Sequence, residues 1–385
     1  MRVLIVHNKY LQYGGEDAVV AAESNLLLER GIEVERYERD NLDVANLTSL
    51  RLAVDTVWSR RSLREVGALL DRLRIDVVHC HNTFPLVSPS VYRAAADRGI
   101  PVVQSLHNFR LFCPQAFLLR NDKPCEDCIG TLPWRGVAHR CYRGSAAQSA
   151  VLVAMVGVNR AIGSYRKPVT RYIALNEFCR KKFVQAGLPA ERIVVKPNFV
   201  DPPPVSLDMP RRGALFVGRL SREKGVCAIA GAWRLLRSAG VSLDVIGDGP
   251  DAEVLSGIEG VRLRGPASSA QVYDAMARAA YLLMPSIWYE NFPRVLVEAF
   301  ACGLPVITSR LGAMAELVED GLTGLLVEPG DAADLADKIA WANAHPAEMR
   351  EMGQAARRRY EHSYTGDVNF SRLTAIYREA ILEVS

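Results

Sequence analysis

The chain has 385 residues, 49% of them apolar and 23% charged, with a formal net charge of +4. This is the balance of a globular protein long enough for two domains and a sizeable core. So small a net charge gives no ground for a nucleic-acid partner.

The chain opens with Met1-Arg-Val-Leu-Ile-Val-His7. Its apolar run is too short for a signal peptide and reads as a first strand, Val3–Val6. A helix follows Gly14-Gly15, carries Val19, Ala22 and Leu26 on one face and stops near Gly31. Further strand-like runs lie at Ile32–Arg36, Asp76–Cys80, Pro101–Ser105, Tyr172–Leu175 and Ile193–Lys196. The longest apolar stretch, Ala146 to Val158, is interrupted by Gln148 and Ser149 and is too short to span a bilayer. Pro197-Asn-Phe-Val-Asp-Pro-Pro-Pro204 and the polar stretch after it mark a domain boundary. A second alternation then runs through Ala214–Gly218, Ser242–Ile246, Val261–Leu263, Tyr281–Pro285, Pro305–Thr308 and Gly324–Val327, and the chain ends in helices from Asp331 onward. Apolar strands alternating with helical segments predict two parallel sheets covered on both faces, a doubly wound α/β architecture in each half.

Chemistry concentrates where strands end. Glu290-Asn-Phe-Pro-Arg-Val-Leu-Val-Glu298 follows the strand at Tyr281, and Phe292 to Cys302 is predicted to be helical, with Leu296, Ala299 and Phe300 on one apolar face. Glu290 is then at the carboxyl end of a strand, where ligands bind in parallel sheets. The plain alternative is a solvated acid at 290 and an i,i+4 pair of Arg294 with Glu298. Gly218-Arg219-Leu-Ser-Arg-Glu-Lys224-Gly225 follows the first strand of the second half and brings Arg219 and Lys224, suited to an anionic leaving group or simply to solvent, with Arg222 read as a solvated neighbour. Gly14-Gly15 opens the first helix, a place for phosphate or a plain turn. His107 closes the strand from Pro101. His79 and His81 share a face, with His79 expected in the core and His81 nearer the strand end.

Glu-x7-Glu followed by Ala-x-Ala-x-Gly-x-Pro-Val, together with Gly-Arg-x4-Lys-Gly, resembles the donor-site signature of the family 4 retaining glycosyltransferases of GT-B fold. Asn8-Lys-Tyr, Gly14-Gly-Glu-Asp17 and His107-Asn-Phe-Arg-Leu-Phe-Cys113-Pro look like the bacterial capsular and exopolysaccharide branch of that family. The resemblance implies two Rossmann-like domains with parallel sheets facing a central cleft. Residues 1-198 would form an acceptor-side domain with an insertion at about 109-145. Residues 199-365 would bind the nucleotide sugar, and a helix at 366-385 would cross back to the first domain.

The implied reaction is transfer of a hexose or deoxyhexose, with retained configuration, from a nucleotide-diphosphate sugar to a glycan or lipid-linked oligosaccharide. Glu290 would hold the sugar, with Asn291 and Phe292 beside it, and Glu298 the ribose. Arg219, Lys224 and the Gly14-Gly15 loop would hold the diphosphate, His107 would lie near the reacting carbon, and His81 would border the acceptor pocket. No cofactor or catalytic metal is implied beyond the sugar nucleotide. Pro293 stands where the family usually has Gly and cannot donate an N–H, which bears on donor choice. A nucleotide-sugar epimerase of the same architecture and a non-catalytic sugar-nucleotide-binding subunit are the competing readings.

Cys80, Cys179, Cys227 and Cys302 fall inside predicted elements and fit a reducing, cytoplasmic setting. Cys113, Cys125, Cys128 and Cys141 cluster in the insertion, where a structural zinc and four reduced thiols are both open. From Arg143 to Lys182 the basic residues outnumber a single acid, Glu177, around the apolar stretch. That pattern fits either peripheral contact with the anionic inner face of a membrane or a core helix with solvated flanks.

Overall fold

The structure, a computed structural model, describes residues 1–203, 210–236 and 240–384. Residues 204–209 of the expected linker therefore lie outside the described residues. The chain divides into two compact units. One comprises Met1–Leu118, Glu126–Pro197 and the C-terminal helix from Asn369; the other comprises Leu119–Cys125 and Asn198–Val368.

The N-terminal unit is built on a six-stranded parallel sheet. Its strands are β1 (Arg2–Lys9), β2 (Glu33–Asp40), β3 (Val77–Cys80), β4 (Val102–Ser105), β7 (Arg171–Ala174) and β8 (Ile193–Val195), in the order β2-β1-β3-β4-β7-β8. Val3, Leu4, Ile5 and Val6 are fully buried, as the apolar run requires of a strand covered on both faces. Edge strand β2 has one neighbour and a mostly polar sequence, and it reaches Asp40, beyond the expected end at Arg36. Between β4 and β7 lies a two-stranded hairpin, β5 (Leu119–Arg120) with β6 (Lys123–Pro124). The sequence placed this insertion wholly in the N-terminal domain, but the hairpin belongs to the second unit. Half-exposed Leu119 and Arg120 and exposed Lys123 and Pro124 give it no apolar face to join the first core.

In the C-terminal unit the strands are β9 (Ala214–Val217), β10 (Leu243–Ile246), β11 (Val261–Gly265), β12 (Tyr281–Met284), β13 (Val306–Ser309) and β14 (Gly324–Val327). Their order is β11-β10-β9-β12-β13-β14, all parallel. Alternate residues feed two cores. Leu215, Leu282 and Met284 pack on one face with Leu296 and Phe300, whereas Phe216, Tyr281 and Leu283 pack on the other with Trp233 and Ile339. Burying a side chain such as Phe300 contributes about 1.5–3 kcal/mol.

The helix after Glu290 spans Arg294–Ala301, shorter than the expected Phe292–Cys302. Pro293 sits at φ −72°, ψ 89°, outside the helical region, so the helix starts one residue later. The last helix, Gly366–Val384, joins the N-terminal unit from Asn369. Its Tyr377 is buried in that core, and the phenol hydroxyl lies 2.6 Å from His79 Nδ1.

Candidate functional site

In the second sheet the strand order reverses between β9 and β12, and ligands bind beyond the carboxyl ends of the strands at such a switch point. The loops that follow these two strands carry Lys224 and Glu290. Gly225, at φ +81°, joins them closely: a Cβ there would lie 2.0 Å from the carbonyl oxygen of Pro285. The Ile287 amide donates to the Glu223 carbonyl at 2.9 Å, which locks the Lys224 turn to the end of β12.

Glu290 is 7% exposed, and its Oε1 accepts three hydrogen bonds. They come from Lys224 Nζ at 2.6 Å, Ser286 Oγ at 2.9 Å and Trp288 Nε1 at 3.0 Å. The Lys224 ammonium also lies 5.3 Å from the centre of the Trp288 ring. The sequence separated these two roles, an acid for sugar and a cation for diphosphate; the fold joins them in one preorganised ion pair. Ser286 and Trp288 were not foreseen. Their only sequence signal is their place on the loop that ends β12.

Glu298 lies in the second turn of its helix, and its Oε1 accepts from Arg294 Nε at 2.9 Å. The surface-pair alternative is therefore realised at 298 but not at 290. Arg219 is exposed on its loop, and the Leu220 amide beside it is held by the Asp248 carbonyl at 2.9 Å. Asn291 is half-buried. The Phe292 side chain packs on the core, 6.2 Å from the Tyr364 ring, so what it offers a ligand is backbone.

On the N-terminal unit, the Gly15–Glu29 helix starts after β1 with Gly14 as its N-cap. The Gly14 amide donates to Asp17 Oδ2 at 2.9 Å, while Asp17 Oδ1 lies 2.9 Å from His7 Nε2. One of the amides expected to receive phosphate is thus already capped by the chain's own carboxylate. Gly15 differs: a Cβ there would meet nothing within 4 Å, so its own fold does not require glycine. Glu16 accepts from the Tyr10 hydroxyl at 2.7 Å and from Asn108 Nδ2 at 3.3 Å. Burial, and then the Glu16 charge, push the Tyr10 phenol well above its ordinary range.

Beneath this edge runs a polar network that sequence reading missed. Lys196 Nζ donates to Glu23 Oε1 at 2.5 Å, with both side chains 1% exposed. Burial opposes ionisation of Glu23, yet the Lys196 ammonium brings its carboxyl below the usual range. His79 is fully buried, with its ring nitrogens bonded to the Tyr377 and Ser105 hydroxyls at 2.6 and 2.9 Å, and burial pushes it down to about 3. His81 was expected to border an acceptor pocket; instead its side chain is 0% exposed and its Nδ1 lies 2.8 Å from His107 Nε2. It follows directly on β3, which ends at Cys80, and its ring lies 4.1 Å from that of buried His79. His107 itself is half-buried, and burial lowers it as well.

Among the described residues, one group of three His, Cys, Asp or Glu ligands gathers within 4.8 Å: Glu23, His79 and His81. No three of Cys113, Cys125, Cys128 and Cys141 form such a group among the described residues. Cys113 and Cys128 are buried and Cys125 and Cys141 half-buried, and sequence neighbours in an irregular loop need not converge. Among the described residues no helix is long and apolar enough to cross a membrane. The Ala146–Ala161 helix buries Leu152, Met155 and Val156 and leaves Val158 exposed.

Comparison with known proteins follows the same division. Residues 14–198 match the family model described as a glycosyl transferase 4-like domain, and residues 211–344 the model described as glycosyl transferases group 1. Glycogen synthase of Mycobacterium tuberculosis is 32% identical over 189 residues, which cover 46% of this chain and 45% of that protein. D-inositol 3-phosphate glycosyltransferase 1 of Catenulispora acidiphila is 29% identical over 328 residues, 80% of this chain and 72% of that protein. The amylovoran biosynthesis glycosyltransferase AmsK of Erwinia amylovora is 28% identical over 239 residues, 55% and 58% of the two chains. The chain thus spans about half the length of the first of these relatives.

Among solved structures, a sucrose-phosphate synthase from Thermosynechococcus elongatus superposes with a TM-score of 0.70 at 17% identity over 99% of both chains. Anabaena HepE, in complex with UDP, gives 0.67 at 18% identity over 98% of this chain and 99% of that one. These likenesses carry the fold, two Rossmann-like domains of GT-B type. The sequence itself is similar to glycosyltransferases in both halves, to a glycosyl transferase 4-like domain in the first and to glycosyl transferases group 1 in the second.

Proposed function

We propose that the protein transfers a hexose or deoxyhexose, with retention, from a nucleotide-diphosphate sugar to a glycan or lipid-linked oligosaccharide acceptor. The observation that carries this reading is the buried Glu290 carboxylate, held by Lys224, Ser286 and Trp288 at the switch point of the second sheet. A carboxylate accepts hydroxyl hydrogen bonds with charge assistance and suits a sugar better than an anion. Anabaena HepE, solved in complex with UDP and with UDP and glucose, supports a sugar-nucleotide donor. The AmsK likeness supports surface polysaccharide as the setting.

In this mechanism Glu290 orients the sugar, and Glu298, exchanging its Arg294 partner for hydroxyls, holds the ribose. Lys224 and Arg219 stabilise the diphosphate as the bond from the anomeric carbon to its phosphate oxygen breaks. The acceptor hydroxyl forms the new bond on the same face, and its proton passes to the departing phosphate oxygen. No enzymic base is then needed. Gly15 permits close approach of the diphosphate, and His107 lies beside the sugar.

The test is a panel of nucleotide sugars incubated with lipid-linked acceptors extracted from membranes, with products followed by mass. One added sugar per acceptor, with release of nucleoside diphosphate, is expected. Conversion of the donor without acceptor gain identifies an epimerase, and binding without turnover a non-catalytic subunit; either result overturns the proposal.

A further inference from the structure

The group of Glu23, His79 and His81 has the ligand types of a metal site, but its bonding argues otherwise. Both His79 nitrogens are engaged by hydroxyls, and the Lys196 ammonium already sits on Glu23 Oε1. What remains is a pair of buried atoms, Glu23 Oε2 and His81 Nε2, neither with a hydrogen-bond partner, 3.8 Å apart. On the other side of the same ring, His81 Nδ1 meets His107 Nε2 at 2.8 Å.

Two neutral imidazoles that share one N–N hydrogen bond have two arrangements. If His81 donates through Nδ1, its Nε2 lone pair faces the Glu23 carboxylate, and two electron-rich atoms oppose each other in a buried setting. If His107 donates through Nε2, the proton of His81 is on Nε2 and points at the carboxylate, an attraction strengthened by the low local dielectric.

We propose that Glu23, kept ionised by Lys196, acts through His81 as a positioning residue that fixes His107 as the Nε2–H tautomer. His107 Nδ1, which has no hydrogen-bond partner among the described residues, is then a standing acceptor. Burial lowers the proton affinity of both rings, which keeps the relay neutral. An imidazole acceptor bonds a hydroxyl but repels a carboxylate or phosphate oxygen. Resting on His107 lying beside the transferred sugar, this selects neutral sugars over uronic acids.

Long-range proton–nitrogen NMR of the 15N-histidine-labelled full chain reads the tautomers without ligand. Spectra of His81→Gln and His107→Gln variants assign the signals. Expected are a protonated Nε2 and a pyridine-type Nδ1 for His107, and a protonated Nε2 for His81. A His107 protonated on Nδ1, or carrying protons on both nitrogens, overturns the relay whatever the protein binds. In the double variant Glu23→Gln/Lys196→Met, which leaves no orphaned ammonium, the His81 signals are expected to move toward a mixture of tautomers; unchanged signals remove Glu23 from the relay. Among donors that turn over in the transfer assay, uronic-acid nucleotides are expected to be about ten-fold poorer than their neutral counterparts. Equal turnover overturns the acceptor role of His107 while leaving the tautomers, and the transfer reading, standing.

Discussion

Replacing Glu290 with Gln is expected to lower kcat/KM for transfer by about 10²–10³ while leaving the melting temperature nearly unchanged. The substitution keeps the shape of the side chain and removes its charge. Ser286 and Trp288 retain a carbonyl oxygen to donate to, but the ion pair with Lys224 is lost. Lys224 is 28% exposed, so water can solvate the abandoned ammonium and the cost to folding is small. On the proposed mechanism the cost to catalysis is larger, because one substitution removes the sugar's charged acceptor and frees the cation aimed at the diphosphate. Glu290 and Lys224 act as a unit, so the double variant Glu290→Gln/Lys224→Met should fall well short of the product of the single losses. Steady-state kinetics with the turned-over donor checks this; full activity in Glu290→Gln contradicts the assignment.

Lys196→Met is expected to destabilise the protein by about 3–5 kcal/mol, because it leaves a buried carboxylate without its counter-ion. The pH dependence should also change sign. In the wild type the carboxyl of Glu23 is lowered by Lys196, so the contribution of the pair is full above the ordinary carboxylate range and is lost as pH falls through the depressed folded value. In the variant, burial without the ammonium raises that carboxyl. Folding then favours the protonated form, and stability falls as pH rises above the ordinary carboxylate range. Melting curves of both proteins between mildly acidic and neutral pH give the comparison. If the variant melts like the wild type throughout, the Lys196–Glu23 pair does not hold the unit together. Adding Glu23→Leu should recover much of the loss, since a hydrophobic pair can replace a buried ion pair.

These two predictions differ in how far the sequence revealed them. Both sheets were legible strand by strand, because a strand buried on both faces is a continuous apolar run such as Val3-Leu-Ile-Val6 or Tyr281-Leu-Leu-Met284. Boundaries drifted where that signal weakens, at polar edge strand β2 and at Pro293, whose ψ of 89° lies outside the helical region and delays the helix. The Glu290 loop was legible from its spacing and the family resemblance, but its partnership with Lys224 was not: 66 residues separate the two, and only the fold closes that distance. The Glu23 network was wholly hidden. Lys196 lies 173 residues from Glu23 and Tyr377 lies 298 from His79, and no local pattern records such contacts. The cysteines show the converse, since four thiols within one loop are neighbours along the chain, yet no three of them form a group of metal-ligand spacing among the described residues. Gly14 shows a subtler failure. The glycine turn was rightly placed at a helix start, but the capping Asp17 that occupies its amide was not weighed.

On the proposed mechanism Glu290 holds the sugar of the donor rather than its nucleotide. Calorimetric titration of the donor that turns over, and of its matching nucleoside diphosphate, into wild type and Glu290→Gln tests it directly. The variant is expected to bind the sugar nucleotide at least ten-fold more weakly, a loss of about 1.4 kcal/mol, and the nucleoside diphosphate within about two-fold of wild type. Equal losses for both ligands, or none for either, would contradict it.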